Sequence, residues 1–203
     1  VSGPAPVLRD LLIATGNAGK IAEMRAALEG LSFRVLEPSE LPFALPVVEE
    51  SGETLLENAQ LKARAWAKAS GLLSLADDTG LEVDALQGAP GVRSARWSGG
   101  GPPENNLKLL AELKALGPEA PRGAVFRTVM VLAEPGGRED WVSGCCEGLI
   151  PVQAQGAGGF GYDPLFFVPR AGKTFAQMDL KEKNACSHRG EALRRVRKLL
   201  ERW

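Results

Sequence analysis

The sequence predicts an α/β fold built on a mixed β-sheet. Three observations carry that reading: short apolar, strand-like runs alternate with segments of helical periodicity, two adjacent β-rich runs form a hairpin, and no repeat or long linker divides the chain. All 203 residues are expected to form one unit, with residues 1–7 a flexible leader.

Taken in order, Leu8–Ala14 is an apolar run ending at "TGN", a first strand. Ile21, Met24, Leu28 and Leu31 then recur at helical spacing, with Asn17 as N-cap and Gly30 past the C-terminus. "FRVL" is a second strand, followed by the proline-broken connection "LPFALPVVEESGE". Thr54 and Glu57 have the T-x-x-E form of a capping box, opening a helix that Gly71 closes. Its buried stripe is Leu56, Ala59, Ala63 and Trp66, while Asn58 and Lys62 share another face. A strand over 72–76 ends at Asp77 and Asp78, where Gly80 suits a turn. The Gly- and Pro-dense tract 87–105 reads as a long loop and "NNLKLLAELKAL" as an amphipathic helix. Residues 124–133 and 138–147, separated by "EPGG", form the hairpin. The glycine-rich tract "GAGGFGYDP" then precedes the apolar "LFFV", and a last helix carries Leu193, Val196 and Leu200 on one side.

Composition narrows the function. Apolar content of 44% and charged content of 24% describe an ordinary globular chain. A net charge of −1 offers no basic face, which argues against nucleic acid as a partner. No apolar run approaches the roughly 20 residues of a membrane span, and the start "VSGPAPVLRD" lacks the pattern of a signal peptide. Cys145, Cys146 and Cys186 show no metal-binding spacing, and an odd count fits a reducing, cytoplasmic setting.

Several short stretches could carry chemistry. "TGNAGK", residues 15–20, fails the phosphate-loop spacing, yet a strand-to-helix turn presents free N–H groups that attract anions. Lys20 there opposes the helix dipole, which a solvated turn lysine or an anion-binding one explains equally. Glu49 and Glu50 precede a helix start, where one acid suffices for helix support and a second would suit a cation. Of Asp77 and Asp78, one can cap a turn; two carboxylates at a strand end also suit a hard divalent ion. Phe160 and Tyr162 sit in a glycine frame, as core aromatics or as a stacking surface for a base. Ser187 reads as an N-cap, which places His188, the only histidine, and Arg189 at a positive helix end. Two donors there add nothing to local stability and favour recognition of an electron-rich group, with Lys183 just upstream.

In order, "TGNAGK", "EESGETLLENAQLKA", "LADDTGL", "PGVRSARWSG", "GGFGYDPLF" and "EKNACSHRGEAL" resemble the inosine/xanthosine triphosphate pyrophosphatase family from Leu8 onward. The resemblance implies a cytoplasmic, homodimeric, Mg²⁺-dependent enzyme of two lobes around a long mixed sheet, with a purine nucleoside triphosphate in the cleft between them. It implies hydrolysis of ITP, dITP and XTP to the monophosphate and pyrophosphate. By position, Thr15, Asn17, Lys20 and Lys62 match the phosphate contacts. Glu50, Asp77 and Asp78 match the metal-binding acids, with Asp78 also the catalytic base. Phe160, Tyr162, Asp163, Lys183, His188 and Arg189 match the base pocket. "GGGPPENN" departs from the family in being rich in glycine and proline. A related pyrophosphatase for modified or pyrimidine nucleotides, and a nucleotide-binding module without chemistry, are the alternatives.

Overall fold

The computed structural model describes residues 8–203. The expected leader, residues 1–7, lies outside the described residues.

The chain opens with β1 (Arg9–Ile13), α1 (Ala18–Leu28) and β2 (Phe33–Leu36). Asn17 caps α1 by accepting the Lys20 N–H at 3.0 Å, and Gly30 follows the helix at φ +78°. An extended segment leads to α2 (Leu55–Ser70), which starts at the expected capping box: Thr54 and Glu57 satisfy each other's backbone N–H. Gly71 ends it in the left-handed region, at φ 74°. Ala59 and Ala63 are buried as expected, with Leu56 and Trp66 partly buried beside them.

The next strand differs from the sequence expectation. β3 runs from Leu73 to Val83, straight through Asp77 and Asp78, and does not end there. Its partner β5 (Gly123–Ala133) supplies an unbroken antiparallel ladder from Ser74↔Ala133 to Val83↔Ala124. Two charges interrupt an apolar pattern, but ladder bonds and partners from other elements decide the strand.

β4 (Pro90–Gly91) and a 3₁₀ turn at Ser94–Arg96 break up the expected long loop. The helix after it, α3 (Pro102–Ala115), starts earlier than its apolar periodicity indicates, because proline suits the first helical position. So the "GGGPPENN" segment is helical from its first proline onward. β5 and β6 (Glu139–Leu149) form the hairpin, and β7 (Phe167–Val168) and β8 (Lys173–Thr174) complete the sheet. A short helix that periodicity did not signal, α4 (Leu180–Cys186), precedes α5 (His188–Leu200), whose N-cap is Ser187.

The sheet order is β2-β1-β3-β5-β6-β7-β8, with β4 paired to β3. β1 lies parallel to β2 and β3, and every other pairing is antiparallel, so the sheet is mixed. One apolar cluster joins Leu11, Met24, Leu75 and Leu132 to Leu193 and Val196 of α5; a smaller one sets Ala76 against Ala59 and Ala63 of α2. A third, around Leu81, Leu109, Phe126 and Phe166, fills the other end. Among the described residues, no helix is long and apolar enough to cross a membrane.

Candidate active site

The cleft arises from an interruption along one edge of β3. β1 pairs with it only as far as Leu75, and β4 begins opposite Leu81. In between, the chain leaves β1 through Ala14–Asn17 into α1, so the middle of β3 faces an opening of about 530 Å³. Crevices where neighbouring chains diverge at strand ends are the usual binding places of α/β sheets.

Successive strand side chains take opposite faces, and that alternation divides the two adjacent carboxylates. Asp77 shares a face with Leu73 and Leu75, under α1 and α5. Its Oδ2 meets Lys20 Nζ at 2.9 Å and Arg189 Nη2 at 3.1 Å, and the residue is wholly buried. Burial pushes its carboxyl up, but Lys20, Arg189 and Lys62 together reverse this and hold it far below the ordinary carboxylate range.

Asp78 shares the other face with Ala76, under α2. Its Oδ2 accepts from Asn58 Nδ2 at 3.1 Å, and its Oδ1 lies 3.7 Å from Lys62 Nζ. The same Lys62 ammonium pairs with Glu50 Oε1 at 2.6 Å. Burial raises the Asp78 carboxyl; Lys62 opposes that, and the nearby Glu50 charge adds to it, leaving the group above its usual value. Glu50 goes the other way: Lys62 outweighs its burial and holds it low. Burial also pulls Lys62 down, but Asp77, Asp78 and Glu50 more than restore its charge.

At the opposite wall, Phe160 packs against the first turn of α1. A Cβ on Gly19 would lie 2.2 Å from its ring, so the glycine lets anion turn and aromatic platform meet. Lys183 sits beneath Phe160, 4.5 Å from the ring centroid, bonded to Asp163 and 2.7 Å from Glu23 Oε1. Asp163 also accepts the Phe160 N–H at 2.8 Å, so it fixes the turn. Tyr162 donates its hydroxyl to Ser94 O at 3.0 Å. His188 stacks on Phe126 at 4.5 Å; burial first, then Arg189 and Lys183, keep its imidazole well below the usual value and therefore neutral at pH 7. Arg189 spends Nη1 on Glu23 at 2.6 Å and Nη2 on Asp77 and Thr79. His188 Nδ1 and Arg189 Nε are buried without a hydrogen-bond partner.

Of the residues singled out from sequence, Thr15, Asn17, Lys20, Glu50, Lys62, Asp78, Phe160, Tyr162, Asp163, His188 and Arg189 line this cleft. Asp77 and Lys183 lie beneath its surface, each tying two walls together through ion pairs. Sequence reasoning passed over Glu23, a buried acid on α1 that pairs with both Lys183 and Arg189. Its spacing of three from Lys20 places it on the same helix side, a usable signal. Arg96 was likewise missed; it reaches Glu50 O at 3.0 Å from the 3₁₀ turn.

A mixed-sheet α/β protein whose cleft sets lysines and two carboxylates beside an aromatic shelf with buried donors is of a class shaped for a charged tail joined to a planar ring. The Ham1 family profile matches residues 11–199, and the chain belongs to that family. It is 51% identical over 185 residues to a dITP/XTP pyrophosphatase of Thermus thermophilus, covering 91% of this chain and 88% of that one. A dITP/XTP pyrophosphatase of Desulforamulus reducens is 47% identical over 194 residues, covering 95% and 96%. Among solved structures, a HAM1 protein from Coxiella burnetii superposes with a TM-score of 0.85 at 39% identity, covering 96% of this chain and all of that one.

Proposed function

We propose that this protein hydrolyses ITP, dITP and XTP to the nucleoside monophosphate and pyrophosphate. The observation that carries this reading is the convergence of Glu50 and Asp78 on Lys62 in the same cleft as a shelf of Phe160, His188 and Arg189. The names of the relatives point the same way.

The donor set fits Mg²⁺. Among the described residues no cluster of three acid, His or Cys side chains forms a metal cage. Mg²⁺ in nucleotide sites needs only one or two carboxylates and takes its remaining oxygens from phosphate and water. Glu50 and Asp78 would be those carboxylates; Asp77 gives its Oδ2 to Lys20 and Arg189 and serves as their anchor, on the opposite face of the strand from Asp78. When bound, the ion neutralises phosphate oxygens and steadies the leaving pyrophosphate.

The chain's own residues do the rest. Lys20 and Lys62, with the N–H groups of the Thr15–Asn17 turn, receive the triphosphate. Asp78, raised by burial, accepts a proton from water as its oxygen attacks the α-phosphorus. The α–β anhydride bond breaks and pyrophosphate departs. Hypoxanthine and xanthine present an acceptor at O6 where adenine presents a donor. His188 and Arg189, with buried nitrogens lacking a partner, favour that acceptor. A site that bonds one group rejects its replacement by leaving buried donors unpaired, costing about 1–3 kcal/mol per group. The protein acts as a homodimer in the cytoplasm on this reading.

One assay tests it: pyrophosphate release from ITP, dITP, XTP, ATP, GTP and the pyrimidine triphosphates, with Mg²⁺ and with EDTA. Release from the deaminated purines and none from ATP, abolished by EDTA, is the expected result. Equal kcat/KM for ATP and ITP rejects the proposal.

A further inference from the structure

Helix α2 carries a buried polar side chain that this chemistry leaves idle. Asn58 is 0% exposed, and both ends of its amide are engaged. Oδ1 accepts the Gly52 N–H at 2.8 Å, while Nδ2 donates to Asp78 Oδ2 at 3.1 Å. The partners fix the amide's orientation, because an N–H needs the oxygen and a carboxylate needs the nitrogen. One side chain therefore joins the segment bearing Glu50 to the strand bearing Asp78.

Gly52 shows the same constraint from the other side. A Cβ there would lie 2.7 Å from Glu57 Cβ and 2.8 Å from Asn58 Oδ1. The segment is pressed against the first turn of α2 so closely that a side chain has no room. Two residues earlier, Arg96 Nη2 holds the Glu50 carbonyl at 3.0 Å. With Asn58 taking Asp78 Oδ2, the other oxygen, Oδ1, is left facing Lys62 and Glu50.

We propose that Asn58 is a positioning residue that sets the separation of the Glu50 and Asp78 carboxylates and turns Asp78 Oδ1 toward the metal and phosphates. It touches neither substrate nor reacting atoms, and it rests on the roles given above to Glu50 and Asp78. A mere fastener would change stability and leave the metal requirement alone.

Two variants separate these possibilities. Asn58→Leu removes both hydrogen bonds at similar volume, and Gly52→Ala displaces the segment while leaving Asn58 in place. Partners of metal ligands are typically worth about 10–100-fold in metal affinity or activity. Both variants should therefore show kcat for ITP reduced by about that factor and the Mg²⁺ needed for half-maximal rate raised alike. Mn²⁺ affinity, read by electron paramagnetic resonance without nucleotide, should fall in parallel, and amide exchange over residues 49–53 should quicken. Affinity for ITP in EDTA should stay near the parent's. A folded Asn58→Leu protein with parental Mn²⁺ affinity and Mg²⁺ requirement overturns the proposal. If that variant does not fold, the same parental values in Gly52→Ala overturn it. Failure of the underlying reading looks different: Asp78→Asn would then keep its turnover, whatever Asn58 does.

Discussion

Two neighbouring aspartates, alike in sequence, have opposite energetics. Asp77 is held low by Lys20 and Arg189, so ionisation stabilises the fold. Asp78 is held high by burial, so ionisation costs stability and keeps a proton acceptor ready. Asp78→Asn should abolish ITP turnover while nucleotide binding survives and the melting temperature stays level or rises. Asp77→Asn leaves the buried Arg189 and the half-buried Lys20 short of a partner, and breaking a buried pair costs about 3–5 kcal/mol. Because the Asp77 pKa is lowered on folding, its contribution is complete above the usual carboxylate value of 3.8. It is lost as pH falls below that value, so the stability gap between parent and Asp77→Asn should be widest near pH 7 and close in acid. Urea titrations at pH 7 and at pH 3 measure this; a gap that widens in acid contradicts the assignment. His188 has the same sense: its pKa too is lowered on folding, so it costs nothing above its ordinary 6.5 and subtracts from stability as pH drops below that value.

Each element brings its own side chains to the cleft region, and the contacts between elements set the spacing. α1 brings Lys20 and Glu23, α2 brings Asn58 and Lys62, and the α4–α5 corner brings Lys183, His188 and Arg189. That corner is tight: a Cβ on Gly190 would lie 1.8 Å from the Asn184 carbonyl. Gly190→Ala should force α4 off α5, costing about 1–3 kcal/mol of stability as overpacking does. It should also reduce kcat/KM for ITP, since Lys183 would leave Glu23 and Asp163. Unfolding curves and ITP kinetics check both; parental values in each would show that the corner yields freely. The legibility of the sequence follows the same division. α1, α2, the hairpin and α5 were readable because periodicity, caps and glycines all agree within one short stretch. β3 was truncated because only its distant partners, Lys20, Arg189 and Lys62, explain two charges in its middle. α4 was missed because "LKEKNAC" shows no apolar period and packs chiefly through Lys183. Site residues were found where a motif marked them; Arg96 acts through Glu50, far away in the chain, and Glu23 offered only its spacing from Lys20, its partners Lys183 and Arg189 being distant.

At the scale of the molecule, the apolar clusters at the two ends are joined by β3 and β5, whose ladder runs unbroken past both aspartates. The cleft therefore lies over the middle of two strands whose shared ladder is continuous at the point where charge must be placed. On that basis we expect residues 8–203 to unfold in one step. Leu132 belongs to the first cluster and Leu109 to the other, and both are fully buried. Leu132→Ala and Leu109→Ala should each lower stability by about 2–5 kcal/mol, the usual cost of such a truncation. Neither should split the transition. Trp97 packs against one cluster and Trp203 against the other, so variants retaining a single one of these tryptophans report on each end separately. Coincident urea curves from the two reporters, in both truncated backgrounds, are the expected result. Curves that separate would mean that the ends melt independently, and the cleft would then lie between two units of separate stability.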